Sequence, residues 1–104
     1  MNLMKIYKIS YEIFGELYSK WAQGLTIPNS LFICPKNNKY LAIDNEYNNF
    51  FIEEFNTKKQ AICWLIRNDF SKREIAELKT VKIDKLLSKI DYKIVDYQKE
   101  FYEL

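Results

Sequence analysis

The sequence predicts an α+β fold, and three observations carry that expectation: a helix-spaced apolar segment near the start, three short apolar runs split by Asn-rich breaks, and two capping boxes that open later helices. At 104 residues the chain has the size of a single domain, 1–104, with one core. Hydrophobic residues make up 48% and aromatics 16%, a composition that folds rather than stays disordered. Two Gly and two Pro leave little room for linkers, so most residues belong in regular elements.

From Ile6 to Gln23 two apolar series interleave at helical spacing: Ile9, Ile13, Leu17, Trp21 and Tyr7, Tyr11, Phe14, Tyr18, Ala22. They predict an N-terminal helix over about Ser10 to Gln23, stopped by Gly24 and Pro28. Gly15 weakens it by about 1 kcal/mol relative to Ala, and the Ile9, Tyr11, Ile13 alternation also suits a strand. Leu31–Cys34, Tyr40–Asp44 and Phe50–Phe55 follow as an antiparallel meander, with Asn supplying positive φ in the turns.

Thr57 and Gln60 form a capping box ahead of Ala61, Ile62, Cys63, Trp64, Leu65 and Ile66, an apolar run that predicts the central core helix. Ser71 and Glu74 open a short second helix in the same way. Ile83, Leu87, Ile90, Ile94, Tyr97, Phe101 and Leu104 then alternate steps of four and three, which predicts a long amphipathic C-terminal helix over about Asp84 to Glu103. Its apolar stripe, Ile83 to Phe101, would either pack inside the chain or form a dimer face; Tyr92–Tyr97 becomes a last strand if tertiary packing overrides the pattern.

Net charge is only +2, but it is unevenly spread: residues 1–57 hold five Lys against six acids, and residues 58–104 hold eleven Lys plus Arg against eight. Any anion-facing surface is therefore expected in the second half. On the C-terminal helix Lys82, Lys85, Lys89 and Lys93 would make a basic ridge, with Asp96, Glu100 and Glu103 as an acidic one. Both oppose the macrodipole, by roughly 0.3–1 kcal/mol per exposed charge. A solvated face is the ordinary meaning of such a run; the outside explanations are an anionic partner such as nucleic acid or antiparallel pairing with a second copy.

Chemistry has few footholds. There is no His, hence no usual neutral-pH base, no Ser-His or Cys-His pair and no imidazole metal ligand. Gly15 and Gly24 cannot build a phosphate-binding loop. Asp44, Glu46, Glu53 and Glu54 lie near one hairpin, but adjacent strand residues point to opposite faces, so a polar surface is a better reading than a Mg²⁺ site. Asp44, Glu46 and Glu53 stand as a second, weaker partner-binding group. Cys34 and Cys63 are expected as reduced, buried thiols in a cytoplasmic protein. No run approaches the roughly twenty apolar residues of a membrane span. No metal, cofactor or catalytic residue is expected.

Arg73-Glu74-Ile75-Ala76-Glu77-Leu78 with Val81 and Leu86 resembles the helix-turn-helix family over about residues 71–90, except that Thr80 stands where the turn usually has Gly. Ala42-Ile43-Asp44-Asn45, Glu53-Glu54-Phe55, Ala61-Ile62 and Trp64-Leu65 resemble short proteins carried by phages, plasmids and conjugative elements of AT-rich bacteria, small inhibitors and anti-CRISPR-like proteins among them. That resemblance carries over no site residue. It implies a non-enzymatic protein that binds a protein or nucleoprotein complex and inhibits a host nucleic-acid-handling defence system. A small DNA-binding regulator and a homodimeric accessory protein are the alternatives.

Overall fold

The computed structural model describes residues 3–67 and 69–102. Their order is β1 (Met4–Lys8), α1 (Tyr11–Ala22), β2 (Leu31–Lys36), β3 (Lys39–Asp44), β4 (Phe51–Phe55), α2 (Lys58–Ile66), α3 (Lys72–Glu77), α4 (Thr80–Leu87), β5 (Tyr92–Asp96) and α5 (Tyr97–Phe101). The strands form one mixed sheet in the order β4-β3-β2-β1-β5. The α+β class and the central meander are as predicted, with β2 against β3 and β3 against β4 antiparallel. Asn37 and Asn38, both at positive φ (48° and 64°), make the tight turn between β2 and β3, because this mirror-image turn follows the right-handed twist of the strands.

The sheet is covered on both faces. α2, α3 and α4 bury Ala61, Ile62, Leu65, Ile75, Ile83 and Leu86 against Ile6, Leu31, Ile33 and Ala42. On the other face Leu17 of α1 and Tyr97 of α5 meet Tyr7, Phe32, Cys34 and Ile43. Alternation within each strand sorts the side chains: Ile6 goes to the first core and Tyr7 to the second. Both predicted capping boxes are present, at Thr57 with Gln60 and at Ser71 with Glu74. α1 begins where Ser10 Oγ accepts from the Ile13 N–H at 3.1 Å, and it stops at Gly24, whose φ of +77° suits a residue without Cβ.

Two expectations are corrected. The N-terminal helix is preceded by a strand: β1 lies in the sheet interior, parallel to β2 on one side and to β5 on the other. Ladder bonds on both sides of β1 outweigh the helical spacing that runs on from Ile6 into α1. The long C-terminal helix does not form. α4 ends at Leu87, and residues 92–96 pair with all of β1, from Met4↔Tyr92 to Lys8↔Asp96. Tyr92, Ile94 and Val95 suit a pleated, half-buried position, and without them β1 would present an unpaired apolar edge. Asp96 then caps α5, accepting from the Gln98 and Lys99 N–H groups at 3.0 and 3.4 Å.

Candidate functional site

Breaking the C-terminal helix redistributes every residue read from it. Ile83 and Leu87 are buried under the first core, Ile90 and Ile94 pack against its margin, and Tyr97 is buried in the second core on the opposite face of the sheet. Phe101 stacks on Tyr97 with centroids 4.4 Å apart. Among the described residues the heptad positions are thus spread over α4, β5 and α5 and do not lie on one helical stripe. Leu104 and Glu103 lie outside the described residues.

The basic ridge is cut in two. Lys82 and Lys85 are exposed on α4 and Lys89 just beyond it, joined by Lys79 at its N-cap. Lys93 belongs to β5 and points with Val95 toward the face of α1 and α5. There it is a register neighbour of Lys5, whose Nζ lies 3.1 Å from Glu100 Oε1. The Glu100 carboxyl is held below its usual range by the Tyr7 hydroxyl first, then by Lys5. The macrodipole conflict also shrinks: in a helix that ends at Leu87, Lys85 and Lys89 stand at the favourable end, and only Lys79 and Lys82 oppose it.

What remains on α4 is a cationic surface with little to balance it. Asp84 is the helix's one carboxylate, and it is engaged by Lys59 Nζ at 2.8 Å. Among the described residues no ion pair involves Lys79, Lys82, Lys85 or Lys89. Val81, 75% exposed, sits among them. That exposure counts against the helix-turn-helix reading, in which Val81 would be a buried anchor; α3 is also only six residues long, and just Leu78 and Lys79 separate it from α4.

Comparison with family models, curated proteins and solved structures finds no match to this chain.

The acidic hairpin residues do not converge on one point. Asp44 Oδ1 accepts from the Glu46 N–H at 3.0 Å, closing a turn. Burial, and then the neighbouring Asp44 charge, raises the Glu46 carboxyl above its ordinary range. Glu53 lies 3.8 Å from Lys72, and Glu54 lies 3.4 Å from Lys39. Among the described residues no group of three or more His, Cys, Asp and Glu could hold a metal, and no helix is long and apolar enough to cross a membrane.

Cys34 and Cys63 are fully buried, on opposite faces of the sheet. Burial pushes the Cys34 thiol from its ordinary 9.0 up to about 11 and raises that of Cys63. Because the folded value of Cys34 exceeds the unfolded one, its contribution to stability is complete below pH 9 and is lost as pH rises toward 11. A thiol-exchange reagent at pH 8 is expected to label neither cysteine of the native chain within minutes and both after denaturation; rapid native labelling would show that the thiols are reachable.

Sequence reasoning missed a second cationic group, Lys8 and Lys58, which the fold brings to one cavity with Ile33, Pro35 and Tyr40. The available signal was Lys58-Lys59 directly after the Thr57 cap, two cations in a first helical turn that holds no acid.

Proposed function

We propose that this protein is a non-enzymatic binder that acts by occupancy, laying the lysine face of α4 on an anionic surface of a nucleic-acid-handling complex. The observation that carries the reading is the set of exposed lysines at positions 79, 82, 85 and 89 around exposed Val81, without an ion-pair partner among the described residues and with Asp84 already engaged. Such a face supplies charge for steering and an apolar contact for residence. The likeness of short segments to proteins of mobile elements points to a host defence complex, such as a CRISPR effector, as the class of target. Inhibition follows if the lysines cover phosphates, or acidic residues, that the complex needs for its own substrate.

Reversing Lys82, Lys85 and Lys89 together to Glu is expected to weaken binding to a purified effector–guide complex at least a hundredfold. Each site is exposed, so unfolding stability should move by no more than about 0.5 kcal/mol per substitution. Interferometry against the complex, with free duplex DNA as a second analyte, reads the result. A triple variant that keeps full affinity for the complex overturns the proposal. Wild-type affinity for duplex alone, falling steeply with salt, would transfer the same face to a DNA-binding role.

A further inference from the structure

Three clefts meet beyond the carboxyl ends of β1, β2 and β5. The chain's crossovers change sides at β1: α1 connects it to β2 over one face, while α2 to α4 lead back to its other neighbour, β5, over the opposite face. The segments leaving β1 and β5, into α1 and α5, both turn to the face of the second core, whereas the opposite face is left to the start of α2, and a crevice lies beyond the strand ends between them.

On the α2 side the crevice narrows to a hollow of ≈ 90 Å³, walled by Lys8, Ile33, Pro35, Tyr40 and Lys58. Its wall contains two ammonium side chains and no carboxylate, and among the described residues neither lysine has an ion-pair partner. Lys58 also opens α2, whose first turn lacks an acid, so its charge opposes the helix dipole. An anion seated between two ammonium groups is attracted by both. The volume is well above the roughly 10–15 Å³ that one water needs.

Lys8 and Pro35 also wall a wider cleft of ≈ 320 Å³ on the α1 side, shared with Ser10, Tyr11, Asp96 and Gln98. That falls at the lower end of small-molecule pockets, about 300–1,000 Å³. We infer that the crevice binds a phosphorylated ligand of nucleotide size, with its phosphate between Lys8 and Lys58 and its organic part extending past Pro35 into the wider cleft. A doubly charged phosphate matches two ammonium groups, while hydroxyl, carboxylate and amide groups line the space beyond. The shared chemistry is a terminal phosphate, carried by a free nucleotide or by the end of a strand. None of the α4 lysines takes part, so this site stands or falls separately from the surface proposed above.

The test is an amide-resolved NMR titration of the full chain with ADP, then with one oligonucleotide carrying either a 5′-phosphate or a 5′-hydroxyl. Saturable shifts are expected at Lys8, Ser10, Tyr40 and Lys58, weakened at least tenfold in a Lys8→Gln, Lys58→Gln double variant whose spectrum otherwise remains folded. Saturation by ADP alone identifies a free nucleotide; saturation by the phosphorylated strand but not the hydroxyl form identifies a strand end. No shift at these amides with millimolar probe, or equal affinity in the double variant, overturns the inference.

Discussion

Replacing Asn45 by leucine is expected to lower unfolding stability by about 4 kcal/mol, because it strips two backbone groups of their partners at roughly 1–3 kcal/mol each and adds a misfit of shape. Asn45 is the buried polar residue of the described core, with no exposed surface. Its Nδ2 donates to the Pro28 carbonyl at 2.9 Å, and its Oδ1 accepts from the Phe50 N–H at 3.1 Å. Its own N–H donates to the Ser30 carbonyl at 2.9 Å. One side chain therefore ties the approach to β2 to the β3–β4 connection. That connection is strained at Phe50, whose φ of 48° lies in a region that costs such a residue about 1–2 kcal/mol, while Asn48 at 63° is a residue type that tolerates it. The strain is held because Phe50 is buried against Trp21, with centroids 5.5 Å apart, and because Trp21 Nε1 donates to the Asn48 carbonyl at 2.9 Å. In a chain of this size the loss corresponds to a fall in Tm on the order of 15 °C. Urea unfolding of both proteins measures it, and a difference under about 1 kcal/mol would mean that the loop holds its shape without Asn45.

The elements legible in the sequence are those whose signals are local. The Thr57 and Ser71 boxes fixed two helix starts because their hydrogen bonds lie within three residues. Asn37-Asn38 marked a turn because positive φ is a property of those residues themselves. β1 was not legible, and β5 was legible only as the alternative to a helix at Tyr92–Tyr97, since each pairs with the other end of the sequence. Read alone, Ile83 to Phe101 obeys a heptad, although Ile90, Tyr92 and Ile94 also alternate as a strand does; short apolar runs satisfy both periods and only the partner decides. The same division applies to the candidate sites. Lys82, Lys85 and Lys89 could be grouped because one short stretch carries them. Lys93 was assigned to the same group and lies on the other side of the sheet. Lys8 and Lys58, fifty positions apart, meet because α2 packs back over the sheet.

The other large loss is expected at Tyr97. Its ring is 5% exposed and contacts Tyr7 at 5.7 Å, Phe32 at 5.9 Å, Phe101 at 4.4 Å and Tyr102 at 5.8 Å between centroids. It stands one residue beyond β5, where it pins the chain's end onto the face that α1 covers. Truncation to Ala removes a buried aromatic ring, a change that typically costs 3–5 kcal/mol. The loss should be unevenly shared. β5 is an edge strand, held by one neighbour and by this anchor, so its amides are expected to exchange faster than those of β2 and β3 in the variant. Tyr97→Phe keeps the ring and should stay within about 1 kcal/mol of the parent. The pair also separates the observed fold from the heptad helix read in the sequence. Ala is the stronger helix former, so in a free helix over 84–103 Tyr97→Ala would raise helicity and leave the rest of the chain intact. Calorimetry and hydrogen exchange on Tyr97→Ala decide between them: a melting temperature within 2–3 °C of the parent, with β5 protection unchanged, would show that the terminus is not docked through this ring.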